Sequence, residues 1–164
     1  MLTAPHLHNP EASLTRVFRR IAADGMADLP LGNPALAVEA VGFRQTENGH
    51  WLGVLIAPWT MNLLLLPAAD ARAPWPEKAP GDRQLWRFPS GAYEFIVAAE
   101  DELGVYHLCS LFSPPYRFVS QEAARQTAYA ALAGLYTPSA VDAADAPIAE
   151  NTSGKSRRAF LGLR

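Results

Sequence analysis

Cysteine is almost missing from this chain of 164 residues: Cys109 is its single thiol. An internal disulfide framework is excluded, and so is any four-cysteine site for zinc or an iron–sulfur cluster. Excess charge is missing too. Fourteen basic and sixteen acidic side chains leave a formal net charge of −2, which gives no general attraction for nucleic acid or an anionic membrane. Long apolar runs are lacking. The best of them, Met61 to Leu66, falls well short of the ~18–20 residues that a membrane span needs. Residues 1–9 contain no lysine, no arginine and no apolar run, so no secretory leader is expected there and the expected compartment is the cytoplasm. Neither Gly-x-x-x-x-Gly-Lys nor Gly-x-Gly-x-x-Gly occurs, so the glycines build no phosphate loop.

What the chain has is proline, fourteen in all, many of them between 58 and 89 and a pair at 114–115. They imply rigid, irregular connections between short elements. The length suits one domain, 1–138, followed by a tail, 139–164.

Asn9 and Pro10 open a first helix with Leu14, Val17, Phe18, Ile21 and Ala22 at helical spacing, and Asp24-Gly25 should stop it. Leu36–Arg44 and Trp51–Ala57 read as strands around Asn48-Gly49, which would supply both central residues of a type I′ turn. Trp59–Leu66 reads as a strand buried on both faces. A long Pro- and Ala-rich loop covers 67–82. Strands at 85–88, 92–99 and 104–111 follow, then a helix from Gln121 to Leu135 capped by Ser120. The expected fold class is α+β: a mainly antiparallel sheet of about six strands packed by an N-terminal and a C-terminal helix. The tail is Ala-, Asp-, Pro- and Ser-rich without periodicity and reads as disordered. It ends in Ser156-Arg157-Arg158-Ala159-Phe160-Leu161, which resembles a twin-arginine export motif but stands at the wrong end of the chain.

Catalytic patterns are hard to find. His107 and Cys109 lie two apart on a strand and share a face, yet no oxyanion site or orienting acid completes them, and a half-buried structural cysteine is the better reading. His6 and His8 lack a third ligand, and a disordered start accounts for them. No metal, cofactor or enzymatic activity is expected.

Aromatic side chains beside prolines are the unusual feature. In "GVLIAPWTMNLLLLP" (53–67), Pro58 interrupts two apolar stretches; Trp59 and Met61 share one strand face, and Thr60 and Asn62 the other. Such a face either binds variable apolar side chains or fills the core. In "LWRFPSGAYEF" (85–95), Trp86, Phe88, Tyr93 and Phe95 surround a Pro-Ser-Gly turn. Glu94 alternates among them, placed either to receive an arginine or simply to face solvent. Leu111, Phe112, Tyr116 and Phe118 mark a third such place.

Together these stretches, with "HLCSLFSP" and the closing "SRRAFLGL", resemble the HybE-like [NiFe]-hydrogenase assembly chaperones, the family that includes HupJ and HoxT. The likeness runs in order from the first helix to the last residues. It implies a cytoplasmic, non-enzymatic chaperone that holds the precursor of the hydrogenase small subunit. By occupying the twin-arginine signal it would delay export until iron–sulfur clusters are assembled, in company with a rubredoxin-like protein. On that reading Pro58, Trp59, Met61, Asn62, Trp86, Phe88, Phe95 and Phe112 would form the apolar peptide-binding surface, and Glu94 would take the signal's arginines. Arg157, Arg158, Phe160 and Leu161 would imitate the signal. The alternative is a scaffold that recruits small subunit and rubredoxin without reading the signal.

Overall fold

A computed structural model describes residues 5–26 and 32–138. The tail 139–164, with Arg157, Arg158, Phe160 and Leu161, lies outside the described residues.

Helix α1 spans Glu11–Ile21 and buries Leu14, Val17 and Phe18. Pro10 takes the N-cap position, and Asn9 serves the helix start from one residue earlier, its Oδ1 accepting from the Glu11 N–H at 2.9 Å. Asp24-Gly25 does not end the helix cleanly, because a wider π-helical turn continues over Ala22–Met26. Six strands follow: β1 (Glu39–Gln45), β2 (Trp51–Ala57), β3 (Thr60–Leu66), β4 (Arg83–Phe88), β5 (Gly91–Glu100) and β6 (Gly104–Phe112); helix α2 (Gln121–Leu135) closes the domain. Ser120 caps α2 as the sequence implies, its Oγ accepting from the Ala123 N–H at 3.1 Å.

All six strands form one sheet in the order β1-β2-β3-β6-β5-β4, every neighbouring pair antiparallel. It consists of two three-stranded meanders joined through β3 and β6. Each face carries one helix. Ala124, Ala128, Leu132 and Leu135 of α2 pack with Leu52, Val54, Met61, Leu63, Leu65 and Phe95. Leu14, Val17 and Phe18 of α1 pack with Leu55, Ala57, Leu64, Leu66 and Tyr106. Alternation along a strand sends successive side chains to opposite faces, so β3 in the middle is buried throughout. At ~1.5–3 kcal/mol for each fully buried leucine, this strand is a main source of stability.

Two turns differ from the sequence expectation. The first hairpin closes with the Gly49 N–H on Thr46 O (2.8 Å) and the Thr46 N–H on His50 O (2.8 Å). Glu47 and Asn48 are therefore its central residues, and Gly49 follows them with φ of 94°, the arrangement of a three-residue loop rather than a type I′ turn. In the second, Ala57 pairs with Thr60, so Pro58 and Trp59 are the turn itself and the strand begins one residue later than read. In β1 a bulge sets Val41 opposite Val54 and Arg44 opposite Leu52, with Gly42 at φ of 71°. Around His6, where the sequence suggests a disordered start, the chain is tied to the domain. The His6 N–H donates to Pro67 O (2.8 Å) and the Ala69 N–H to His6 O (2.9 Å), while His6 Nε2 bonds Leu103 O (3.2 Å).

Residues 67–82 form a strap rather than a free loop. Arg72 and Ala73 donate to Asn48 O at 2.9 and 3.1 Å, Asp70 accepts from Gln45 at 2.9 Å, and Trp75 packs onto the α2-side core.

Candidate functional site

On the α2 side, the β1–β2 turn, the end of β4 and the C-terminal end of α2 enclose a cavity of about 130 Å³. Leu65 is among its lining residues, with Trp86, Phe88, Pro89 and Tyr136 as apolar walls and Thr46, Glu47, Asn48 and Arg87 as polar ones. The walls are mutually braced. Phe88 stands edge-to-face on Tyr136 with ring centroids 6.1 Å apart, and the Arg44 guanidinium lies 5.3 Å above the Tyr136 ring. The Ser90 N–H donates to Leu135 O at 3.0 Å, joining the Pro89 turn to the end of α2. Burial pushes the Tyr136 hydroxyl above its usual range, with Arg44 opposing and Glu47 adding to the shift, so it stays a hydrogen-bond donor. Glu47 is exposed and makes no ion pair among the described residues.

Behind this cavity is an aromatic box. His107 is fully buried, and its Nδ1 accepts from Trp86 Nε1–H at 2.9 Å. Trp75 stacks on it with centroids 4.3 Å apart, and His50 meets the edge of Trp75 at 5.0 Å. His50 Nδ1 accepts from the Ala68 N–H at 3.2 Å. Both imidazoles are thus fixed in the tautomer that carries its proton on Nε2. In this tautomer neither imidazole presents a free nitrogen lone pair to the cavity. Burial draws His107 down to about 4, with Lys78 and His50 pushing the same way. Burial also lowers His50, opposed by the Pro74 and Ala73 carbonyls.

Of the residues singled out from sequence, Trp86 and Phe88 meet at the cavity. The others do not join them. Met61 and Phe95 are buried in the α2-side core, and Trp59 packs against the α1-side core; the shared Trp59–Met61 face does not form, because Trp59 belongs to the turn. Pro58 O accepts from the Asn33 N–H at 2.7 Å. Asn62 is buried, with Oδ1 accepting from the Thr60 hydroxyl at 2.9 Å. Phe112 stands edge-to-face on Phe118 at 5.1 Å and lies under Arg117. Glu94 pairs with Arg83 at 3.1 Å on the sheet face opposite Tyr93 and Phe95, as strand alternation requires. Sequence reasoning missed Glu47, Tyr136 and Trp75. Trp75 left one signal, since a tryptophan in a long proline-rich connection has to be housed somewhere.

Residues 9–163 match the family described as "[NiFe]-hydrogenase assembly, chaperone, HybE". The hydrogenase expression/formation protein HupJ of Bradyrhizobium diazoefficiens is 39% identical over 160 residues, covering 93% of this chain and 91% of that protein. A protein named probable rubredoxin HupJ, from Rhodobacter capsulatus, is 43% identical over 125 residues, which are 76% of this chain and 44% of that protein. The solution structure of HybE from Escherichia coli superposes with a TM-score of 0.63 at 26% identity, covering 93% of each chain. A family match over residues 9–163, a relative 39% identical over nearly all of both chains, and a fold shared with the HybE structure place this chain in the HybE family of [NiFe]-hydrogenase assembly chaperones.

Proposed function

We propose that the chain is a cytoplasmic maturation chaperone that holds the hydrogenase small-subunit precursor by its twin-arginine signal peptide. Export is delayed until iron–sulfur cluster assembly is complete. The observation that carries this reading is the cavity beside Phe88 and Tyr136, whose rim bears Glu47, a carboxylate with no ion pair among the described residues. Aromatic walls suit the signal's apolar residues, and a free carboxylate suits a guanidinium, which binds by charge-assisted hydrogen bonds. Glu47 takes the role that Glu94, tied to Arg83 on the far face, does not fill.

Calorimetric titration with an isolated twin-arginine signal peptide tests the reading. Phe88→Ala should weaken binding about tenfold by removing one wall. Glu47→Gln should weaken it about fivefold, a modest effect because the carboxylate is exposed. No association, or affinity indifferent to Arg→Lys in the peptide, would reject the proposal.

Within the same reading, the tail's Arg157, Arg158, Phe160 and Leu161 compete for the cavity as a tethered copy of the signal. Tyr136, a cavity residue, stands two positions before Pro138, the last residue described before the tail. Flexible tethers give effective concentrations on the order of millimolar. Truncation after Gly154 should tighten signal-peptide binding, and unchanged affinity would remove the tail from the mechanism.

A scaffold role is the second reading, favoured by the relative named probable rubredoxin, of which the matched part is 44%. It calls for a rubredoxin-like partner and for capture of small subunit lacking its signal. Loss of that capture on signal deletion would exclude it.

A further inference from the structure

The last strand in the sheet order, β4, has β5 on one side and, among the described residues, no strand on the other. Its backbone phase follows from the strand's first bonds. The Val97 N–H donates to Asp82 O at 2.9 Å, Val97 O accepts from the Gly81 N–H at 2.8 Å, and Arg83 comes next, opposite Ile96. Antiparallel pairs alternate between bonded and non-bonded, so Gln84, Trp86 and Phe88 turn their backbone groups to β5, and Arg83, Leu85 and Arg87 turn theirs outward. The side-chain bonds agree: Lys78 Nζ donates to Arg83 O at 3.1 Å, and Gln84 Nε2 donates to Leu85 O at 3.0 Å. The outward N–H groups of Leu85 and Arg87 have no backbone acceptor among the described residues.

Beside this edge, on the α1 side of the sheet, Leu85 is 47% and Ile96 40% exposed, since α1 packs on β1 at the far end. The edge is basic. Arg83 shares Glu94, Lys78 is spent on a carbonyl, and Arg87 makes no ion pair among the described residues.

We propose that β4 takes an extended acidic segment of a partner protein by strand addition. Its main chain bonds the Leu85 and Arg87 amides, its apolar side chains cover Leu85 and Ile96, and its carboxylates face Arg87. Charge decides among the occupants. A second copy paired antiparallel about Leu85 would set Arg83 opposite Arg87, and like charges directly opposed destabilise a sheet. The chain's own tail, with Lys155, Arg157 and Arg158, and a twin-arginine signal are repelled for the same reason. Basic side chains guard edges against self-pairing, but that guard admits an acidic strand. This surface shares Arg87 with the lining of the signal-peptide cavity, but its apolar part, Leu85 and Ile96, lies on the opposite face of the sheet from Trp86 and Phe88, so the two readings are tested separately.

The test follows the backbone amides of the full-length chain by NMR during titration with a short capped peptide of alternating valine and glutamate. Hydrogen exchange at Leu85 and Arg87 should slow about tenfold as the peptide binds. The same peptide with lysine for glutamate should bind about tenfold more weakly. Leu85→Pro removes one outward donor and leaves the bonds to β5 in place, a position where edge strands accept proline; it should abolish the protection. Should that chain fail to fold, Ile96→Glu puts an acid beside the edge at an exposed site, and should weaken the glutamate peptide and not the lysine one. Unchanged exchange at both amides, or equal response to the two peptides, would overturn the proposal. So would protection already present without peptide and rising with protein concentration, which would assign the edge to a second copy.

Discussion

His107 is the residue whose burial has the largest consequence for solution behaviour. It is fully buried, occupied at Nδ1 by Trp86 and lowered by burial to about 4. In the unfolded chain it returns to about 6.5. Between these values the unfolded chain binds the proton and the folded chain does not, so stability is complete above pH ~6.5 and falls as pH drops towards ~4. A shift of that size corresponds to about 3 kcal/mol, and His6 and His50, both also lowered chiefly by burial, act in the same direction. Urea midpoints near neutral pH and near pH ~4.5 should therefore differ. His107→Gln, although less stable at neutral pH, should lose distinctly less on acidification; an undiminished loss would acquit His107. The same residue shows how far sequence reaches. Period-two alternation places His107 and Cys109 on one buried face, which the structure bears out. The Trp75 ring over the imidazole comes from a strap far along the chain, and no local pattern encodes that meeting.

At the scale of elements, the bulge in β1 and the glycine opposite it act as one unit. A Cβ on Gly53 would run into the Phe43 ring, which lies across β2 on the α1 side. Gly42, at φ of 71°, supplies the turn of backbone that makes the bulge, and Leu132 and Tyr129 of α2 close over it. Gly53→Ala should cost about 1–3 kcal/mol by overpacking, and Phe43→Leu in the same chain should restore part of it, as coupled neighbours do. Thermal unfolding of the two single variants and the double reads this; strict additivity would refute the coupling. Elements with strong periodicity are legible in sequence: α2 is read with both ends correct because Ser120 and the alanine spacing agree. Turns are less so. Asn48-Gly49 and Pro58-Trp59 both mark real reversals, but which residues occupy the central positions is decided by strand register. Register answers to packing on two faces at once, and for that reason Trp59 and Met61 end on opposite sides of the sheet.

At the scale of the molecule, the class is legible and the strand order is not. Six alternating stretches and two amphipathic helices imply an antiparallel α+β domain, but nothing local says that β3 pairs with β6 and leaves β4 at the edge. The cavity depends on that order, since it brings the β1–β2 turn, β4 and the end of α2 to one place. This explains why Glu47 and Tyr136 are invisible in sequence while Trp86 and Phe88 are found there. The helices are also crossed between the meanders. α1 belongs to the first, yet Arg16 and Arg20 reach Glu102 in the β5–β6 turn. α2 follows the second and packs on β1 and β2 of the first. The strap is consequently the one covalent link between two halves that already clasp each other. A protease that opens it at the exposed Lys78 should leave two fragments that elute as a single folded particle and separate only in denaturant, making this chain a natural candidate for a split reporter reassembled from its own halves.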